Sequence, residues 1–214
     1  MPTRRDALLT LAAAATGAAS TMATDTGGGP PPAVAAPCTV VVGGVRVHAI
    51  QSGWVAVKRA HVEYGGPDWT RLPALAADRR WTAWLPIWSW VVEHPAGVIL
   101  VDVGESARVH DPGYFACDAA TGWVYDHLLR FAVREADELA RQLPRVGLAV
   151  GDIAHVVLTH LHSDHVGGIA PFSRATVHVA AAELEGTRQG ALPCRWPAWF
   201  APRRVMHDAA GGAV

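Results

Sequence analysis

Residues 156–168 read VVLTHLHSDHVGG, a short apolar run that leads directly into a cluster of histidine and aspartate side chains. The cluster fits the pattern H-x-H-x-D-H, and its four members are His160, His162, Asp164 and His165. In a chain of this composition the pattern would arise by chance roughly 0.002 times, so accident is a poor explanation. Imidazole nitrogens and a carboxylate are suitable ligands for a borderline divalent cation such as Zn²⁺. The sequence therefore predicts a metal site at the end of a buried strand.

The spacing within the cluster divides its members into two pairs. In an extended loop His160 and His162 project to the same side, so they can hold one ion together. Asp164 and His165 follow where the chain bends toward a helix, and they can reach a second ion a few ångströms away. The glycine pair at residues 167–168 lets the backbone turn closely around the metals without side-chain obstruction.

The hydrophobic pattern on either side of the cluster predicts alternating strands and helices. The predicted strands are 39–42 and 45–50 around a Gly-Gly turn, 84–93, 98–103, 155–159 and 175–180. Helical spacing of apolar residues predicts a helix from Asp126 to Leu143, and another helix begins at Ala181. Residues 60–80 are predicted as loop. This order of elements indicates an α/β fold.

The segment 156–168 resembles the signature of the metallo-β-lactamase-fold hydrolase superfamily. Residues 91–104 resemble the strand–turn–strand of that family that ends in Asp-x-Gly, here with Asp102. Residues 175–183 (ATVHVAAAE) resemble the strand and helix that follow the motif. The resemblance covers about residues 39–200.

The resemblance implies an αββα sandwich, of which this chain carries the first half and part of the second. It implies that His160 and His162 bind a first metal and that Asp164 and His165 bind a second, with one or two Zn²⁺ ions as cofactor. The implied reaction is hydrolysis of a small ester, lactone or related carbonyl substrate by a metal-activated water. Asp164 would also orient that water. Asp102 would support the loop at residues 159–168 that carries the four ligands (the metal loop) rather than bind metal.

The resemblance also implies ligands downstream of His165: a further histidine, a bridging aspartate and a final histidine. Beyond His165 the chain offers only His178, inside a predicted strand, and His207, which lacks the flanking glycines of the family. The domain at 38–214 is therefore expected to be incomplete at its C-terminus. An inactive remnant without the downstream ligands is one alternative function. An iron-dependent redox member of the same fold is another, although such members carry Glu where His162 stands.

Residues 1–37 differ in composition from the rest of the chain. Thr3-Arg4-Arg5 followed by the small apolar residues 7–19 resembles a twin-arginine export signal, and residues 24–37 (TDTGGGPPPAVAAP) form a Gly- and Pro-rich linker. A short helix followed by a disordered tail is the alternative interpretation. The signal predicts an exported protein with no stable membrane anchor after cleavage.

Composition excludes several other classes of function. The formal net charge is −1 with no basic run, which argues against nucleic-acid binding and leaves a small molecule as the expected partner. The three cysteines, Cys38, Cys117 and Cys194, are too widely spaced for a metal knuckle, and sequence alone does not pair them. At strand spacing the four tryptophans Trp81, Trp84, Trp88 and Trp90 are expected as sheet core, with an acyl-binding pocket as the alternative.

Overall fold

A computed structural model describes residues 29–186 and 191–205 of the 214-residue chain. The strands are β1 (Cys38–Val42), β2 (Val45–Val57), β3 (Leu85–His94), β4 (Gly97–Val101), β5 (Leu129–Ala132), β6 (Ile153–Leu158), β7 (Thr176–Ala180) and β8 (Arg203–Val205). The α-helices are α1 (Ala60–Glu63), α2 (Asp68–Ala77), α3 (Ala119–Leu128), α4 (Leu139–Gln142), α5 (Ser163–Val166) and α6 (Ala181–Gly186). The mixture of strands and helices confirms the predicted α/β class.

The strands of the described residues form one mixed sheet in the order β1-β2-β3-β4-β6-β7-β8, and β5 pairs with β2 beside this path. Strands β1 to β4 pair antiparallel, whereas β4, β6, β7 and β8 run parallel. Parallel strands end at the same edge of a sheet. The segments that follow β4 and β6 therefore leave the sheet side by side, and both carry residues of the predicted metal site.

One face of the sheet forms the main hydrophobic core. Leu100 of β4 and Val156 of β6 are register partners with no exposed surface, and they belong to one cluster with Leu139, Leu143 and Phe172 from the helical segments. The opposite face is more open, and Val157, the next residue of β6, is 37% exposed.

The four tryptophans at 81, 84, 88 and 90 lie away from this core, so their prediction as sheet core is wrong. All four are half-buried. Within β3 the buried positions are Ile87, Ser89 and Val91, and strand alternation turns the tryptophans at 88 and 90 to the opposite face. Trp81 lies before the strand, where the cations of Lys58 and Arg130 stand over its ring.

The hairpin at 38–57 and the strands 85–94, 97–101, 153–158 and 176–180 confirm the strand predictions, and α6 confirms the helix after residue 180. The helix predicted from Asp126 to Leu143 is wrong. Helix α3 ends at Leu128, and residues 129–132 instead pair with the free edge of β2, where Phe131 stacks on Phe115. An available strand edge and an aromatic partner outweigh the local helical spacing.

The prediction of loop for residues 60–80 is also wrong, because α1 and α2 occupy most of this range. Helix α2 begins directly after Pro67, which precedes the helix in an extended conformation. Leu75 is the buried residue of α2, and it packs with Ala60 and Leu128 in a small separate core. One buried leucine in ten residues gives too weak a periodicity to be read from sequence.

The described part of the predicted linker lies against the sheet. Trp84 donates its indole N–H to the carbonyl of Gly29 (3.1 Å), and the backbone N–H of Ala35 donates to Gln51 Oε1 (2.9 Å). Residues 1–28 and 206–214 lie outside the described residues, and so do the predicted export signal and His207. The export signal and the boundary at residue 38 stay predictions.

A disulfide joins Cys117 to Cys194, with 5.5 Å between their Cα atoms, and Cys38 is a free thiol. The two cysteines are separated by 77 positions in the sequence, so the bond closes a long loop of the chain. It ties residues 191–195 to the segment before α3, and Arg195 adds hydrogen bonds from its guanidinium to the carbonyls of Gly113 and Tyr114.

The disulfide predicts a redox-dependent stability. Closing a loop of this length restricts the unfolded chain, so Cys194→Ser or reduction should lower the free energy of unfolding by about 4 kcal/mol. Urea unfolding with and without reductant measures this, and Cys38→Ser is the control without effect. Thiol titration of the denatured protein should find one thiol before reduction and three after it. Three thiols before reduction would contradict the pairing.

Candidate metal centre

Asp102 follows β4 and stands at the base of the site. Its backbone has φ 55°, a left-handed conformation that Asp tolerates better than most residues, and its N–H donates to the carbonyl of Val157 (2.9 Å) on the neighbouring strand. The residue is 5% exposed. The chain therefore turns sharply at the end of β4 and points this carboxylate toward the segment that follows β6.

The Asp102 carboxylate accepts three hydrogen bonds from that segment. The backbone N–H of Thr159 donates to Oδ1 (2.8 Å), the Thr159 hydroxyl donates to Oδ2 (2.8 Å), and His165 Nδ1 lies 2.8 Å from Oδ2. The bond to Nδ1 fixes the imidazole so that Nε2 is the nitrogen left for another partner. Carboxylates orient metal-binding histidines in this way in many sites.

The four residues of the sequence motif lie together, in the two pairs expected from their spacing. His160 Nε2 lies 3.1 Å from His162 Nδ1, and Asp164 Oδ2 lies 3.4 Å from His165 Nε2. The rings of His160 and His165 are 3.9 Å apart between centroids, which brings the two pairs side by side.

These separations fit a divalent cation. Two ligands that each lie about 2.1 Å from one ion, at an angle between about 95° and 110°, are about 3.1–3.4 Å from each other. Each pair therefore has the spacing of two ligands of one ion. Within residues 29–186 and 191–205, however, no group of three or more His, Cys, Asp or Glu side chains has the geometry of a metal site. The donors fit a metal as two pairs rather than as a finished cage.

The charges of the site also favour a cation. Burial lowers the pKa of His165, but its hydrogen bonds to Asp102 and Asp164 outweigh burial and raise this pKa to about 10. Burial raises the pKa of Asp164, but the same bond to His165 brings that pKa below its usual value. Each carboxylate thus faces one N–H of a protonated imidazole, Asp102 at Nδ1 and Asp164 at Nε2, and a bound cation would replace the proton on Nε2.

The backbone holds the motif against the turn after β4. The N–H of Val103 donates to the carbonyl of His165 (2.9 Å), and the N–H of Gly168 donates to the carbonyl of Gly104 (3.0 Å). A Cβ atom on Gly168 would lie 2.5 Å from the Val103 carbonyl oxygen, closer than real Cβ contacts. Glycine at 168 therefore allows this close approach.

Sequence reasoning missed three residues that border the motif. Thr159 supplies two of the three donors to Asp102, and Glu183 of α6 accepts a hydrogen bond from the backbone N–H of Leu161 (3.3 Å). Burial lowers the pKa of His61 of α1, and the charges of Arg71 and of the nearby His162 act in the same direction. Thr159 could have been found from its position directly before the motif, whereas nothing in the sequence links the other two to it.

His178 lies apart from these donors. It is in β7, and its Nε2 lies 3.1 Å from Nδ1 of His155 in the adjacent β6. The two imidazoles therefore partner each other across the sheet.

The fold and the paired donors define a class of metal-binding α/β proteins. The family model described as metallo-beta-lactamase superfamily matches residues 82–200, more than half of the chain. The chain belongs to this superfamily, as its motif predicts.

The sequences of curated relatives match about half of this chain. A probable metallo-hydrolase of Mycobacterium tuberculosis is 40% identical over 97 residues, which are 45% of this chain and 29% of that protein. An N-acyl homoserine lactonase of Bacillus cereus is 35% identical over 106 residues, which are 49% of this chain and 40% of that protein. The chain thus spans less than half the length of these relatives.

Solved structures confirm the fold. An N-acyl homoserine lactone hydrolase with N-hexanoyl-L-homoserine at its catalytic metal centre has a TM-score of 0.58 and 21% identity, over 81% of this chain and 62% of that one. A mutant lactonase of Bacillus thuringiensis with N-decanoyl-L-homoserine at its active site has the same TM-score, identity and coverage. The chain has the fold of metallo-β-lactamase-type lactonases.

The hydrogen bonds of Asp102 predict the effect of removing its carboxylate. Asp102→Ala leaves the Thr159 N–H and the His165 ring without their acceptor and places alanine at φ 55°, so unfolding should become easier by about 2–4 kcal/mol. Asp102→Asn keeps an oxygen for Thr159 and should cost about half as much. Urea unfolding of metal-free protein measures both.

The matched control for these variants is Asp111→Ala, which removes an exposed carboxylate from the same segment after β4. It should leave the free energy of unfolding within about 0.5 kcal/mol of the original protein. Equal stability of Asp102→Ala and the unmodified protein would show that the Asp102 bonds do not hold the loop.

Proposed function

We propose that this protein is a metal-dependent hydrolase that opens the ring of a lactone, with N-acyl homoserine lactones as the first class to test. The observation that carries the proposal is the arrangement of four donors after β6 in two pairs, His160 with His162 and Asp164 with His165, held by Asp102. The N-acyl homoserine lactonase of Bacillus cereus supports the choice of substrate, because it is 35% identical over the matched half of the chain.

In this proposal His160 and His162 hold one ion, while Asp164 and His165 hold a second, with Zn²⁺ as the expected metal. When bound, such ions polarise the ester carbonyl and lower the pKa of water toward neutrality. Asp102 keeps His165 in the ring orientation that leaves Nε2 for the metal.

Asp164 is the proposed catalytic carboxylate. It is ionised at neutral pH because its bond to His165 lowers its pKa, so it can accept a hydrogen bond from the attacking water and take up the proton. The water oxygen forms a bond to the carbonyl carbon, and the adduct then breaks the ring C–O bond and releases the ring oxygen as an alkoxide. The proton then passes to the alkoxide oxygen, and the product is the open hydroxy acid.

A paired substitution tests the proposal. With Zn²⁺ supplied, the protein should convert N-hexanoyl homoserine lactone to its hydroxy acid. Liquid chromatography with mass spectrometry measures this conversion. His162→Ala removes a donor of the first pair and should lower kcat/KM at least about 100-fold. His127→Ala removes an exposed imidazole on α3 and should leave kcat/KM within about twofold.

Two results would contradict the proposal. One is the absence of metal-dependent turnover across a panel of lactones with acyl chains of different lengths. The other is full turnover by His162→Ala, because the ring would then open without the proposed first pair.

The exported location predicted from residues 1–37 is part of the same proposal. No helix among the described residues is both long and apolar enough to cross a bilayer. Fractionation of cells that express the chain, with an Arg4→Lys, Arg5→Lys variant as control, tests export. Equal amounts outside the cytoplasm for both forms would contradict a twin-arginine route.

A further inference from the structure

Glu105 is a buried carboxyl group directly behind the metal loop, and the proposed reaction gives it no role. It follows β4 three residues after Asp102, and none of its surface is exposed. Acidic side chains are rarely buried to this degree without a cationic or hydrogen-bonding partner. The contacts of this carboxyl therefore need a physical explanation.

One oxygen of the carboxyl is satisfied from its own side of the structure. Oε1 accepts a hydrogen bond from the backbone N–H of Ser106 (2.8 Å) and another from the Tyr114 hydroxyl (3.2 Å). Both donors belong to the segment that follows β4. Oε1 thus fixes the Glu105 side chain relative to the strand that also carries Asp102.

The other oxygen has no partner among the described residues, and the same is true of the hydroxyl of Ser163. Ser163 is 2% exposed, and its hydroxyl is near enough to lower the pKa of Glu105. Ser163 is the first residue of α5, the helix that carries Asp164 and His165. Two buried polar groups that lack partners are therefore neighbours at the start of α5.

The carboxyl also contacts the other end of α5. Gly167 follows this helix directly, and a Cβ atom at that position would lie 1.8 Å from Glu105 Oε1. The carboxyl occupies the space that any larger residue would fill. Glu105 is thus adjacent to both ends of the four-residue helix.

The electrostatics favour a neutral carboxylic acid at this position. Burial raises the pKa of Glu105 to about 8, and the negative charge of Asp164 acts in the same direction. Arg108 and Arg195 stand over the ring of Tyr114, at 6.0 Å and 5.2 Å from its centroid. They therefore contact the tyrosine that donates to Glu105. A hydrogen bond between the second carboxyl oxygen and the Ser163 hydroxyl would satisfy both unpartnered atoms.

We propose that Glu105 is a positioning residue, whose buried carboxyl group joins Ser163 to Ser106 and Tyr114 and so fixes α5, with Asp164 and His165, against the end of β4. Glu105 touches neither metal nor substrate. The inference rests on the proposed function only for the roles of Asp164 and His165 as ligands.

Amide hydrogen exchange tests the positioning without metal or substrate. The N–H groups of Val103 and Gly168 join the turn after β4 to the metal loop, so their exchange reports whether the loop is held in place. Glu105→Leu keeps the volume but loses the hydrogen bonds, and it should speed exchange at both amides about tenfold while the amides of β3 exchange as before. Glu105→Gln is neutral and nearly isosteric, and it should leave both rates within about twofold.

Two further variants keep the test decisive. Ser163→Ala removes a single hydroxyl, so it tests the same link if Glu105→Leu does not fold, and it should speed exchange at the same two amides about threefold. Glu138→Leu is the control, because its carboxylate accepts bonds from the Ser106 hydroxyl (3.0 Å) and the Ala107 N–H (2.8 Å). It should leave the amides of Val103 and Gly168 unchanged.

A titration with Co²⁺ extends the test to the ligands. Glu105→Leu should weaken Co²⁺ binding about tenfold, and Glu105→Gln should bind as the unmodified protein does. Unchanged exchange and unchanged Co²⁺ affinity in Glu105→Leu would overturn the positioning role. Equal damage from Glu105→Gln and Glu105→Leu would overturn the hydrogen-bonded link, because glutamine can still make those bonds. Failure to hydrolyse lactones, with the exchange result intact, would count against the proposed function alone.

Discussion

The candidate metal centre depends on the parallel pairing of β4 with β6. This pairing brings the ends of the two strands to one edge, so that Asp102 faces the first residues of the metal loop. A single buried carboxylate then holds the Thr159 backbone, the Thr159 hydroxyl and the His165 ring. The loop has only one turn of helix, and four residues of helix are too few to hold their own shape in water. Its geometry is therefore imposed by the neighbouring strand.

The surrounding structure supports the same loop from several sides. Gly168 lets the loop approach the backbone after β4, and Glu105 fills the space in front of Gly167. On the outer side, His162 forms a β-bridge with Ala191, in the segment that the Cys117–Cys194 disulfide ties down. These contacts come from parts of the chain that are distant in sequence. They give the donor pairs a fixed arrangement, which a selective metal site requires.

The sequence predicted the parts of this structure that depend on short local patterns. The motif and its two pairs follow from residue type and spacing, and the strands around it from runs of apolar residues. The helix predicted from Asp126 to Leu143 failed at residues 129–132, because β5 forms on an edge of β2 that is 70 or more residues away in sequence. Glu105 and Glu183 escaped notice for a similar reason. A lone acidic residue has no sequence signal, and only folding shows that it is buried or that it contacts the motif.

The proposed hydrolase requires that these four side chains bind metal in two pairs. X-ray absorption spectroscopy of the Zn²⁺-loaded protein tests it most directly, with a double variant His160→Ala, His162→Ala for comparison. The account predicts nitrogen and oxygen neighbours at about 2.0–2.2 Å, with the outer-shell signals of imidazole, and loss of imidazole signal in the double variant. A shell of water oxygens alone, or an identical spectrum for the double variant, would contradict it.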